Sequence, residues 1–243
     1  MSTKYFFLII ATMMEWNNPV SIFAEAFIVK DGKPCAQIVV AEKPPRSVVL
    51  AAKELQAYIH KISGAELEIT NSPSNNHVRI FVGKSTYTDK LGISDAGLDD
   101  GAFRVVSGQD FLVLLGRDGN YEPVEPYPRS QAPEELARVQ AELDKLTGST
   151  WKVPLADIWS WNYNPTLDIH AYDERGSLNA VYAFLRDLGV EWYMPGELGE
   201  IVPQKTTIVL PAVDKFIHPD FGLRYLHGAA DRFKKEDAVL WYL

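Results

Sequence analysis

Glu174-Arg175-Gly176-Ser177-Leu178-Asn179-Ala180-Val181-Tyr182-Ala183-Phe184-Leu185 and, after Arg186-Asp187, Leu188-Gly189-Val190-Glu191-Trp192-Tyr193-Met194-Pro195-Gly196-Glu197 form the stretch that decides the fold. Leu178, Val181, Tyr182, Leu185 and Leu188 recur at helical spacing and make one apolar stripe. Asp173 precedes this helix as a candidate N-cap, with Glu174 in the first turn, where negative charge suits the exposed N–H groups. Gly189 ends the helix, since glycine takes the left-handed cap conformation at little cost. Val190 to Met194 alternates as a half-buried strand does, and Pro195-Gly196 turns it.

Working upstream, Pro44-Pro45 starts a second long helix. Val48, Ala51, Ala52, Leu55, Tyr58, Ile59 and Ile62 form its buried face, and Gly64 closes it. Phe27–Val29 and Ala36–Val40 read as a hairpin across Asp31-Gly32-Lys33-Pro34. Leu67–Thr70 and Val78–Val82 read as strands, and a short helix is expected around Ser85–Leu91. Phe103–Val106 and Phe111–Leu115 pair across Gly108-Gln109-Asp110, and Thr207–Leu210 closes the pattern. The expected fold class is α/β, a mixed β-sheet with two main helices packed on one face.

Residues 119–172 break this rhythm as an insertion. Pro123, Pro126, Pro128 and Pro133 punctuate its start, and Glu134–Leu146 carries an amphipathic helix with Leu136, Val139, Gln140, Leu143 and Leu146 on one side. An aromatic stretch follows, with Trp151, Trp159, Trp161, Tyr163 and Tyr172. Aromatic content of this kind argues against disorder.

The formal net charge of −8 argues against a nucleic-acid partner, which a basic footprint would serve, and against an anionic membrane surface. Lys4, the apolar run Tyr5–Met14 and Ala24-Glu25-Ala26 read as a signal peptide over residues 1–26, which implies a secreted or periplasmic protein. No later stretch approaches the roughly 18 apolar residues of a spanning helix, so no membrane span is expected after signal cleavage. Cys35 is the only cysteine, so no intrachain disulfide can form, and it reads as a small buried hydrophobe.

The Arg175-Gly176 pair opening an Ala-Val-Tyr-Ala-Phe-Leu helix, followed by Leu-Gly-Val-x-Trp-Tyr-x-Pro-Gly-Glu, resembles the N-terminal domain of family 67 α-glucuronidases. It is equally similar to the N-terminal α/β domains of large secreted glycoside-hydrolase-like proteins. Ala51–Ile59, Ile62–Leu67 and Ile80–Gly83 agree, and the likeness covers roughly residues 27–118 and 173–224. Ser177 and Asn179 stand where Thr and Tyr are more usual in that family. The resemblance implies a glycoside hydrolase N-terminal accessory domain over residues 27–215. Residues 216–243 would then begin a linker to a C-terminal catalytic barrel that is absent here. Phe233–Leu243 fits that reading, as a helix that starts and stops with no C-cap. Expected partners are a polysaccharide or oligosaccharide of the xylan type and the barrel of the same polypeptide. A stand-alone carbohydrate-binding or interaction module without catalysis is the competing reading, and a hexosaminidase-like enzyme differs only in the missing part.

Glycosidases usually need two carboxyl groups, about 5–5.5 Å apart for retention or about 6.5–9.5 Å for inversion. The resemblance places these in the barrel, so no catalytic residue is assigned within this chain. Glu197 and Glu200 are the nearest local pair and read as solvated charge or backbone caps. Trp159, Trp161 and Tyr163 alternate, which on an extended segment puts three rings on one face to stack on sugars, with Asn162 and Asn164 free to bond hydroxyls. Packing of that face onto its own domain is the competing use, and Trp192 reads as core. Arg175 and Arg224 are the candidate clamps for an acidic sugar, with Arg175 also able to pair with Asp173 or Asp187. The tentative carbohydrate-binding set is Trp159, Trp161, Tyr163 and Arg224. His170, Asp173 and Glu174 lack a second histidine at helical spacing, so no metal and no cofactor are expected.

Overall fold

The computed structural model describes residues 25–122, 128, 132–148, 163–164 and 166–220. Residues 1–24 of the expected signal segment, Trp151, Trp159, Trp161, Asn162, Arg224 and the helix expected at 233–243 lie outside the described residues.

The strands are β1 (Phe27–Lys30), β2 (Lys33–Pro34), β3 (Ala36–Val39), β4 (Glu68–Thr70), β5 (Val78–Val82), β6 (Phe103–Ser107), β7 (Phe111–Gly116) and β8 (Asp118–Gly119). They continue as β9 (Tyr163–Asn164), β10 (Ile169–His170), β11 (Glu174–Arg175), β12 (Glu191–Trp192), β13 (Glu200–Ile201), β14 (Ile208–Val209) and β15 (Asp214–Ile217). The described helices are α1 (Arg46–Ser63), α2 (Thr86–Lys90), α3 (Pro133–Thr147) and α4 (Gly176–Asp187).

Six strands form the central sheet in the order β15-β6-β7-β5-β3-β4. Strands β4, β3, β5 and β7 run parallel, while β6 is antiparallel to both β7 and β15. The mixed α/β class expected from the sequence is the class observed.

Alternation along the strands sorts the core onto two faces. Ile38, Ile80, Val82, Val105, Leu112 and Leu114 meet α1 and α4 through Leu55, Ile59, Leu178, Val181, Phe184 and Leu185. Val39, Phe81, Val113 and Leu115 face the other way and are covered by Ile93, Leu98 and Ala102 from the segment between β5 and β6. Helices α1 and α4 therefore share one face, and the segment carrying the short helix α2 closes the other.

The hairpin expected between Phe27–Val29 and Ala36–Val40 is not formed. Strand β1 pairs with β2 and with β14, whereas β3 leaves that small sheet and enters the central one. All four β3 residues are buried, so the segment belongs inside a sheet covered on both faces. The strand expected at Val190–Met194 shortens to Glu191–Trp192, because the Tyr193 amide turns back to bond the Gly199 carbonyl. Strand β15 is a further edge strand that the periodicity did not mark; all four of its residues are exposed.

Two glycines let α4 dock against β7. The Gly176 amide donates to the Arg117 carbonyl at 2.9 Å. A Cβ on Gly116 would lie 2.3 Å from the Gly176 carbonyl carbon, and one on Gly176 would lie 2.8 Å from Gly116 Cα. Strand and helix thus touch backbone to backbone, which is why glycine follows Arg175 at the helix start.

Candidate functional site

Because β3, β4, β5 and β7 are parallel, their carboxyl ends gather at one pole of the sheet, where open α/β sheets present ligand sites. The chain leaves β3 towards β4 by way of α1 on one face, and leaves β5 towards β7 across the other face. The connections therefore diverge between β3 and β5. At that point lies a cleft of about 420 Å³, lined by Val40, Ala41, Glu42, Asn71, Ser72, Ser85, Thr86 and Tyr87.

Its walls are tied together. The Tyr87 hydroxyl donates to the Asn71 carbonyl at 3.3 Å, and its ring stacks on Phe81 at 5.7 Å. Ser85 and Thr88 form a reciprocal capping box at the start of α2. Gln37, buried in β3, donates to Glu68 and accepts from the Ser74 amide, which fixes the loop after β4.

Beside the cleft, the same pole carries a charged lattice. Arg46, at the first position of α1, donates through Nε and Nη2 to Asp173 Oδ2 and Oδ1, both at 2.7 Å. The Asp173 carboxylate is fully buried and also accepts from the Tyr121 and His170 amides. Burial pushes this carboxyl up, but the Arg46 guanidinium and the two amides together hold it below the ordinary range. Asp173 is therefore not the N-cap of α4; that role draws on another residue. Asp118 accepts from the Ser177 amide at 3.0 Å and from the Ser177 hydroxyl, whose oxygen in turn accepts from the Gly116 amide. A carboxylate from β8 thus serves the N-terminus of α4 across the chain. Burial pushes the Asp118 carboxyl up to about 6, with the Ser177 bonds opposing. Arg117 pairs with Glu174 at 2.8 Å.

His170 is buried, stacks on Tyr121 at 4.6 Å and accepts the Tyr172 amide on Nδ1. Burial lowers its pKa; Arg46 adds to that effect while Asp173 opposes it. Tyr163 donates its hydroxyl to Asp168 at 2.7 Å, and the Arg46 guanidinium lies over its ring. Asn164 Oδ1 accepts from the Thr166 and Leu167 amides and closes the β9–β10 turn. Among the described residues, no group of three or more His, Cys, Asp or Glu is arranged to hold a metal.

At the opposite pole, where α1 ends, a second network joins the helices to the Pro195-Gly196 segment. Trp192 Nε1 donates to the Tyr58 hydroxyl, which donates to Glu200 Oε1, both at 2.7 Å; Lys61 donates to the other Glu200 oxygen at 2.8 Å. Tyr182 donates to Glu54 at 3.1 Å, and burial raises the pKa of both groups. Trp192 is half-buried and meets Tyr58 and Tyr182 edge to face. Glu197, by contrast, is exposed in a 3₁₀ turn. Arg175 occupies the N-cap position of α4 and pairs in register with Asp118, while Asp187 bonds Lys215.

Sequence reasoning passed over Arg46, Asp118, Tyr121 and the cleft residues. The one available signal was positional: each follows the end of a strand or begins a helix at the carboxyl pole.

No family model matches the chain, and no curated protein matches it. A solved structure similar to it is a family GH115 4-O-methyl-α-glucuronidase with specificity for decorated arabinogalactans. The TM-score is 0.43 at 16% sequence identity, over 77% of this chain and 18% of that one. The chain thus spans under a fifth of the length of that enzyme.

Proposed function

We propose that this chain is the N-terminal, non-catalytic domain of a secreted, α-glucuronidase-like glycoside hydrolase that acts on xylan-type polysaccharide. Catalysis would be supplied by a barrel further along the same polypeptide. The observation that carries the reading is the role of the resembling segment: it frames the domain. Gly176 permits the contact with β7, and Trp192 anchors α1 to the Pro-Gly turn. Three carboxylates of the described residues are engaged as fasteners. Asp173 accepts four hydrogen bonds, Glu200 holds Tyr58 and Lys61, and Asp118 holds the start of α4. Acids bound in this way cannot both protonate a leaving group and attack a sugar.

The test is to sequence the gene past codon 243 and assay its product on aldouronic oligosaccharides. A reading frame that continues into a barrel with two essential carboxylates, and that releases glucuronic acid, supports the proposal. A stop at codon 244 overturns it and leaves the stand-alone module to be tested by polysaccharide binding.

A further inference from the structure

We infer that the cleft between the ends of β3, β4 and β5 is a binding site for a neutral pyranose unit of an oligosaccharide. The inference rests on the carbohydrate reading above for the class of ligand; the location and polarity come from the fold. The cleft sits where the strand connections diverge, and its size falls among small-molecule sites.

Its lining is suited to hydroxyl groups. Thr86 is exposed at the rim, and the Ser85 oxygen accepts the Thr88 amide while its own proton stays free to donate. Ser72 donates to Asn71 Oδ1 at 3.2 Å, which leaves the Asn71 amide as a double donor. Glu42, exposed at the third residue beyond β3, adds a carboxylate acceptor. Val40 and Ala41 supply apolar surface, and Tyr87 contributes an aromatic wall. Donors and acceptors interleaved with apolar patches are what a sugar ring presents in return.

Charge selects within the sugars. Glu42 carries the one formal charge among the eight lining residues, and the chain as a whole is acidic. A uronate would meet a like charge with no arginine or lysine in the lining to offset it. The cleft therefore takes a neutral sugar of the main chain rather than its acidic branch. The walls are also held in place before ligand arrives, through Tyr87 on Asn71 and Gln37 on Ser74, so little ordering is required on binding.

The experiment is an amide NMR titration of the 243-residue chain with millimolar xylobiose and, separately, D-glucuronic acid. Saturable shifts from xylobiose centred on residues 40–42, 71–72 and 85–87, with weaker ones from glucuronic acid, are expected. Asn71→Ala and Thr86→Val should each weaken xylobiose binding about tenfold at unchanged Tm, as loss of a ligand hydrogen bond does. Shifts confined to Tyr121, Tyr163 and Tyr172, or none, overturn the assignment, as does tighter binding of glucuronic acid. Glucuronic acid release by a longer gene product without shifts in the cleft overturns the site alone. Cleft shifts in a chain that stops at codon 244 sustain the site and remove the hydrolase reading.

Discussion

Replacing Gly116 by alanine isolates the contact that fixes α4 on the sheet. The new Cβ would sit 2.3 Å from the carbonyl carbon and 2.4 Å from the Cα of Gly176, both backbone atoms. Ordinary contacts begin near 3.4 Å, so strand and helix must part by roughly 1 Å. That shift stretches two 2.9 Å bonds, from the Gly116 amide to Ser177 Oγ and from the Gly176 amide to the Arg117 carbonyl. Overpacking costs about 1–3 kcal/mol and each weakened bond about 1 kcal/mol. Removing a strand glycine returns about 0.5–1 kcal/mol. The net expectation is a loss of about 3 kcal/mol, which lowers the urea midpoint by roughly 1 M at a slope near 3 kcal/mol/M. Urea unfolding followed by far-UV circular dichroism measures it. Gly64→Ala is the control: its Cβ meets nothing within 4 Å, so only the left-handed backbone at φ +76° is charged, about 1 kcal/mol. A Gly116→Ala midpoint within about 0.2 M of the parent, equivalent to about 0.6 kcal/mol, would refute the backbone contact.

Arg46→Ala strands the fully buried Asp173 carboxylate and should cost about 3 kcal/mol in urea unfolding at neutral pH. Asp118 gives a signed pH effect. Its folded pKa near 6 lies above the ordinary 3.8, so the folded state holds the proton more tightly. Its contribution is therefore fully present below pH ~4 and is lost as pH rises through ~6, for a total near 3 kcal/mol. Asp118→Asn should remove that decline, so the stability difference between parent and variant should change by about 2–2.5 kcal/mol between pH ~4 and ~7.5, the remainder being lost below pH ~4. Tyr58→Phe takes the shared hydroxyl from between Trp192 and Glu200 and should cost about 1–2 kcal/mol by thermal or urea unfolding.

What the sequence made legible was local. The stripes of α1 and α4 and the glycines at 64 and 189 are set by neighbours three or four residues away, and both helices end where those glycines predict. The β6–β7 hairpin is equally local, with the Gly108 amide bonded to the Phe111 carbonyl in its turn. What stayed hidden was pairing at a distance. Asp173 looks like an N-cap because a carboxylate just before a helix usually is one, yet Arg46 lies 127 residues upstream and takes it. Asp118 reaches Ser177 across 59 residues, with no periodicity to announce it. Strand β15 was missed because an exposed edge strand buries no face and so leaves no alternation. The cleft was missed for a related reason: its eight residues come from three separate segments of the chain, and none forms a motif alone.

The most direct test of the claim that this domain's acids are fasteners is glucuronic acid release from aldouronic oligosaccharides by the 243-residue chain alone. No release above the no-enzyme blank is the outcome the account predicts. Release that disappears in Asp173→Asn or Glu200→Gln, with both variants folded, would contradict it.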